Sequence, residues 1–129
     1  IAEIADKQFF DYYIEDSFAF THGDEEYQEI FKKEIHTIIM GHLHPAVSLS
    51  DPQKIKIEKY KCFLEGKYKN KTLIILPSFF PLVEGTSVNE YLSDNACIIP
   101  AKILKTFNVH VVGKDKVLNF GKLKKLLKN

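Results

Sequence analysis

Three of the five histidines, His22, His42 and His44, stand at the ends of two apolar runs. The first run is Phe18-Ala19-Phe20-Thr21-His22-Gly23, and the second is Thr37-Ile38-Ile39-Met40-Gly41-His42-Leu43-His44-Pro45. Imidazole is a good ligand for Zn, Mn and Fe, and ligands held on strand ends keep their geometry without a flexible tether. In an extended segment His42 and His44 project to the same side, so both can reach one ion or two adjacent ions. Gly41 allows close backbone approach to an ion, and Pro45 stiffens the exit. A lone histidine is more often a satisfied polar residue than a ligand. The argument for metal rests on the whole order: strand, His22-Gly23, intervening helix, buried strand, Gly41-His42-x-His44. His36 precedes a strand and His110 lies within one, and both read as structural or exposed.

The elements that would position these side chains can be read from hydrophobic period and turn residues. Gln8 to Glu15 alternates Phe10, Tyr12 and Ile14, and Asp16-Ser17 suits a tight turn, which predicts a hairpin with Phe18 to His22. In that return strand Phe18, Phe20 and His22 share one face, expected to be buried. Asp24 is placed to cap a helix over Glu25 to Ile35, with Tyr27, Ile30, Phe31 and Ile35 at helical spacing. Thr37 to Met40 reads as a strand buried on both faces. A short strand over Ala46 to Leu49 and a long hairpin follow. In that hairpin Ile55 and Ile57 differ in parity from Tyr60, Cys62 and Leu64, which implies a bulge near Glu58-Lys59 or a change of buried face. Gly66 to Asn70 are expected to turn and Thr72 to Leu76 to return. Residues 77–100 read as a long irregular loop, a feature that is often functional. A last hairpin, Phe107 to Val111 with Val117 to Phe120, precedes a short helix carrying Leu123, Leu126 and Leu127.

The chain has 129 residues, 45% of them hydrophobic, which fits one domain or half of a larger one with a buried core. No internal repeat or linker divides 1–129. No stretch approaches the ~18 to 20 apolar residues that span a bilayer, and no secretory signal pattern stands at the N-terminus. This predicts a cytoplasmic protein without a membrane partner. Cys62 and Cys97 fit no metal or redox spacing and read as two reduced, buried thiols. Charge is polarised: residues 1–36 carry ten acids against three lysines and 37–129 carry seven against fifteen, every basic residue being lysine. Seven of those lysines lie between Lys54 and Lys71 with Tyr60, Phe63 and Tyr68 interleaved, a strip that could track a nucleic-acid backbone or form a solvated hairpin face. The absence of arginine and the near-neutral total weigh against dedicated nucleic-acid binding.

His22 followed by Gly41-His42-x-His44 resembles the closing part of the calcineurin-type metallophosphoesterase signature. Together with Lys61-Cys62-Phe63-Leu64, Leu76-Pro77-Ser78-Phe79, Gly85-Thr86-x-Val88-Asn89 and the tail from Phe107 to Gly121, it is similar to the archaeal phosphoesterases related to a bacterial exonuclease. The resemblance covers nearly the whole chain, as the C-terminal half of such a protein. It implies an α/β fold, half of a layered metallophosphoesterase sandwich with a mixed β-sheet and few helices. It also implies hydrolysis of phosphomonoesters or phosphodiesters by two divalent ions (Mn, Fe or Zn), on a substrate that could be a nucleotide or nucleic acid. By resemblance His22 and His42 share one ion and His44 holds the other. The Gly-Thr-Ser-Val-Asn stretch at 85–89 reads either as lining of the substrate mouth, through Asn89, or as a turn-rich structural loop.

The blocks D-x-H, G-D-x-x-D and G-N-H-D/E, which in that family supply the remaining ligands, the bridging Asp and the catalytic His, are absent here. Asp24 stands where many members have a second His. Ile1 in place of a starting Met fits a chain that has lost its beginning. The expectation is therefore a site completed by a missing N-terminal half, with 1–129 inactive alone. The competing expectation is a non-catalytic binding module with one His-held metal or none, using the Lys-rich hairpin 54–71 for a partner.

Overall fold

The computed structural model describes residues 9–53 and 56–128. Gln8, Lys54 and Ile55, which entered the expectations above, lie outside the described residues. The strands are β1 (Tyr12–Glu15), β2 (Phe18–Thr21), β3 (Thr37–Met40), β4 (Pro45–Ser50), β5 (Ile57–Tyr68), β6 (Lys71–Ile75), β7 (Thr86–Ser87), β8 (Asn108–Val112) and β9 (Val117–Lys122), with one short helix, α1 (Ala101–Leu104). They join in a mixed nine-stranded sheet in which β1-β2-β3-β6-β5-β4-β7 lie in order and β8 branches from β5 to carry β9. A mixed, sheet-rich fold with few helices is thus what the sequence leads one to expect.

The hairpin of β1 and β2 forms around Asp16, whose φ of 54° closes the turn. From β2 the chain crosses to β3, and both run parallel to each other and to β6. On one face of these three strands Ala19, Ile38 and Leu73 lie side by side and are fully buried. They join Val47, Leu64, Ile99, Leu104 and Phe107 in a single core. The opposite face carries Phe18, Phe20, Ile39 and Ile74, flanked by Tyr13, and is left partly open. The burial parity of β2 is therefore the reverse of the expectation: small Ala19 faces the core, while Phe18 and Phe20 stay 43% and 38% exposed. Likewise β3 is fully covered only at Ile38 and Met40.

The crossover from β2 to β3 corrects the helix expected over Glu25 to Ile35. Only a 3-10 turn, Gln28–Phe31, forms, and neither Asp24 nor any other side chain caps it. A helix of about eleven residues is marginal in isolation and needs packing along a full stripe. Here Ile30 and Ile35 are buried without continuous helix between them. The Ile35 amide donates back to the Lys32 carbonyl at 3.0 Å, and the buried Lys71 ammonium donates to the Lys32 and Ile35 carbonyls where the crossover ends. The closing helix likewise reduces to a 3-10 turn, Leu123–Lys125, anchored by Leu123. In contrast α1 falls where no helix was expected, with the Ala101 amide donating to the Asp94 carboxylate.

The long β5 resolves its parity conflict by changing partners. Its first half pairs in unbroken register with β4, and its second half pairs with β6 on one side and β8 on the other. Ile57 is accordingly exposed while Cys62 and Leu64 are buried. Gly66 is not a turn residue; it lies inside β5, and a Cβ there would overlap the Phe107 ring. The turn is Lys69-Asn70, with φ of 50° and 66°, the two left-handed residues of a tight hairpin.

Candidate functional site

Parallel pairing of β2 with β3 sets Thr21 opposite Met40, so the residues that follow, His22-Gly23 and Gly41-His42, leave the sheet side by side at its C-terminal edge. The Gly41 amide donates to the His22 carbonyl at 3.0 Å, and the Leu43 amide to the Gly41 carbonyl at 2.8 Å. Gly23 has φ of 106°, and a Cβ on it would meet the Met40 side chain at 2.5 Å, so the bend after His22 requires glycine. The result is a close approach of two imidazoles: Nδ1 of His42 lies 3.0 Å from Nε2 of His22, with the rings edge to face at 4.8 Å between centroids. The two nitrogens are within hydrogen-bond distance, and which ring donates depends on the tautomer. Both rings are exposed.

The Gly41-His42-Leu43-His44-Pro45 loop is held in an unusual conformation. His42 and His44 both have positive φ, 68° and 51°, in the left-handed region that disfavours residues with a Cβ. For His44 the cost is compounded by the following proline, which favours an extended residue before it. Leu43 between them is buried and anchors the loop to the core. On the far side β4 pairs in parallel with β7, so the His44 carbonyl accepts from the Thr86 amide at 2.7 Å. Gly85 reaches this pairing with φ of 97°, and a Cβ there would sit 2.5 Å from the His44 carbonyl oxygen. The two motifs G-H-L-H-P and G-T-S-V-N, separated by thirty-nine residues, thus form one unit. His44 itself is exposed, and its side chain makes no hydrogen bond or ion pair among the described residues.

Asn89, expected at the substrate mouth, is 1% exposed, and its amide is engaged internally. Its Oδ1 accepts from the Ser48 amide, while Nδ2 donates to the Ser48 and Leu126 carbonyls at 2.8 and 3.1 Å. It ties the 85–89 segment to β4 and to the C-terminal turn, a positioning job at one remove from any ligand. Beside His42 a cavity of about 280 Å³ opens, walled by Leu43, Leu92 and Ala96 and rimmed by Thr86, Tyr91 and Asn95. Sequence reasoning missed the part of this wall at 91–96, because nothing in its spacing distinguishes a cavity lining from an irregular loop.

Among the described residues no three His, Cys, Asp or Glu side chains gather into a metal-ligand group. The sequence-selected residues therefore form an imidazole pair, His22 with His42, and a separate exposed His44 on the same loop. Of the other histidines, His36 is exposed and His110 pairs with Glu65 at 3.0 Å. Each described lysine of the 54–71 strip already has a partner. Lys59 and Lys61 donate to loop carbonyls, Lys67 to Thr72, Lys56 and Lys69 to carboxylates, and Lys71 to the crossover. Comparison with protein-family models, curated proteins and solved structures finds no match to this chain.

Proposed function

We propose that this chain supplies the C-terminal part of a dinuclear metallophosphoesterase centre, with His22 and His42 as joint ligands of one divalent ion and His44 as a ligand of its neighbour. The observation that carries this reading is the 3.0 Å separation of two exposed imidazole nitrogens at the ends of adjacent parallel strands. Turned from one another toward a shared ion, these two exposed nitrogens would both serve as ligands to it. The donor set therefore fits part of a divalent site. Divalent ions held there would neutralise the phosphate oxygens and stabilise the charge of an in-line displacement. The chain's own contribution is placement: Gly23 and Gly41 bring the strand ends together, and the strained His42 and His44 backbones turn both rings outward into solvent.

Three histidines cannot hold two such ions, because a close divalent pair needs a bridging carboxylate or hydroxide to offset its repulsion. The remaining ligands and the catalytic acid or base would come from a further segment, the N-terminal half that the family resemblance implies. The open face of the sheet favours the same view. Parallel strands are ordinarily covered on both sides, whereas Phe18 and Phe20 remain partly exposed on β2. This is the reading of the layered sandwich we adopt, with the described residues as one of its halves. The lysine strip favours the enzyme over the alternative of a binding module, since its described members are already engaged within the chain.

The test is turnover of a general phosphodiester, bis(p-nitrophenyl) phosphate, in Mn2+. The expected result is no turnover by residues 1–129 alone and activity in a protein extended by a segment carrying the three missing blocks, lost on His42→Ala. Full activity of 1–129 alone, or activity of the extended protein that survives His42→Ala, overturns the proposal.

A further inference from the structure

The connection from β6 to β7, residues 76–85, is not held at its middle by burial. Phe79 is 100% exposed, Leu82 82% and Phe80 56%. Its fastenings are polar, and they lead to one place. Where it starts, the Leu76 amide donates to the Met40 carbonyl at 2.8 Å; where it ends, the Thr86 amide donates to the His44 carbonyl at 2.7 Å. The connection therefore straps the two ends of the Gly41-His42-Leu43-His44 loop. Between those ends two lysines of β5 hold it. The Lys61 ammonium donates to the Ser78 and Phe80 carbonyls at 3.0 and 2.8 Å, and the Lys59 ammonium to the Gly85 carbonyl at 3.0 Å.

The register explains why these two lysines reach the strap. Lys61 lies opposite Ala46 and Lys59 opposite Ser48 in the β4–β5 ladder, while Ala46 lies opposite Ser87 in the β4–β7 ladder. Residues directly opposite point to the same face, so both lysines rise on the face of β4 where the connection enters β7. Small Ala46 lets the strap pass: a Cβ on Gly85 would already lie 3.3 Å from the Ala46 Cβ. An ammonium suits the task, having three donors, and a charged donor holds a carbonyl more strongly than a neutral one.

We infer that Lys59 and Lys61 are positioning residues for the proposed metal site. By holding the strap they fix the His44 carbonyl, and with it the strained backbone that presents the His44 ring, relative to Met40 and His42. Released from the Thr86 amide, His44 with its φ of 51° before Pro45 would relax toward the extended conformation that a residue preceding proline prefers, and its ring would swing away. The inference rests on the phosphoesterase reading and adds to it the device that spaces the two ligand positions.

The experiment compares the chain with three variants. Lys61→Met keeps the apolar stem and removes the donors, Lys59→Met/Lys61→Met removes both clasps, and Lys61→Arg restores a charged donor. Two signals are read. Amide hydrogen exchange at Thr86 reports the strap without any metal, and the Zn2+ concentration that half-shifts the imidazole 15N signals of His22 and His44 reports the ligands. The expected result is exchange at Thr86 faster by about tenfold in Lys61→Met and more in the double variant, with a similar rise in the Zn2+ needed at His44, little change at His22, and recovery of both signals in Lys61→Arg. An unchanged Zn2+ response of His44 in the double variant overturns the inference, whatever the exchange rate. A parallel loss at His22 and His44 with a lower urea midpoint also overturns it, since that assigns the lysines to general stability. Failure of Zn2+ to shift any of the three rings in the unaltered chain removes the phosphoesterase reading and the inference with it. A response there that the lysine variants leave intact removes the inference alone.

Discussion

His44 concentrates the relation between strain and purpose in this chain. Its φ of 51°, directly before Pro45, places a residue with a Cβ where glycine would be at ease, and its side chain makes no hydrogen bond among the described residues that offsets the strain. Backbone outliers of this kind persist where surrounding structure holds them, and they cluster at ligand-binding loops. Replacing His44 by glycine should therefore stabilise the fold by about 1 kcal/mol in chemical denaturation, while removing a proposed metal ligand. Equal or lower stability of His44→Gly would show that the side chain holds the loop. The placement of His22 and His42 just beyond the ends of β2 and β3, beside glycines, was legible in the sequence. Their arrangement was not. Extended spacing suggested that His42 and His44 project together, whereas two left-handed residues leave His42 facing His22 and His44 apart.

Elements were legible where period and turn chemistry agreed, as in the β1–β2 hairpin, β3 and the β8–β9 hairpin. They failed where a tertiary contact overrode local preference. The crossover at 25–35 has helical spacing, yet Ile30 and Ile35 reach the core without a continuous helix between them and only one 3-10 turn forms. Gly66 reads as a turn residue, yet it is required inside β5 by the ring of Phe107, a partner forty-one positions away that no local signal reveals. Asn89 belongs to the same class. Its three hydrogen bonds join β4, the 85–89 segment and the C-terminal turn. Asn89→Ala would leave two Ser48 backbone groups and the Leu126 carbonyl short of partners in a buried place, so a loss of roughly 3 kcal/mol is expected in urea unfolding. A loss under about 0.5 kcal/mol, typical of surface sites, would contradict the clasp.

For the molecule as a whole, the sequence disclosed a mixed sheet with few helices and a polarised charge, while the open aromatic face came only with the register of β1, β2 and β3. Exposed Tyr13, Phe18 and Phe20 should bind the apolar dye anilinonaphthalene sulfonate in the isolated chain, and Phe20→Ser should reduce that binding without lowering stability. An unchanged dye signal would mean this face is not the uncovered surface. The core carries a second consequence. Burial pushes the Cys62 thiol from 9.0 up to about 12. A pKa raised on folding means the thiol's contribution to stability is intact below pH 9 and is lost as pH rises from there toward 12, because the unfolded chain ionises first. Denaturant midpoints should thus hold to about pH 9 and fall above it, and Cys62→Ala should flatten that alkaline fall; a fall of unchanged steepness in the variant would assign it to other groups.

The central claim, that His22 and His42 are joint ligands of one ion, is tested most directly by titrating Zn2+ into the chain while following the imidazole 15N signals. The account predicts that Nε2 of His22 and Nδ1 of His42 shift together as one ion binds, and that either alanine variant abolishes the response of the other ring. Independent responses of the two rings, or a His22 response that persists in His42→Ala, would contradict it.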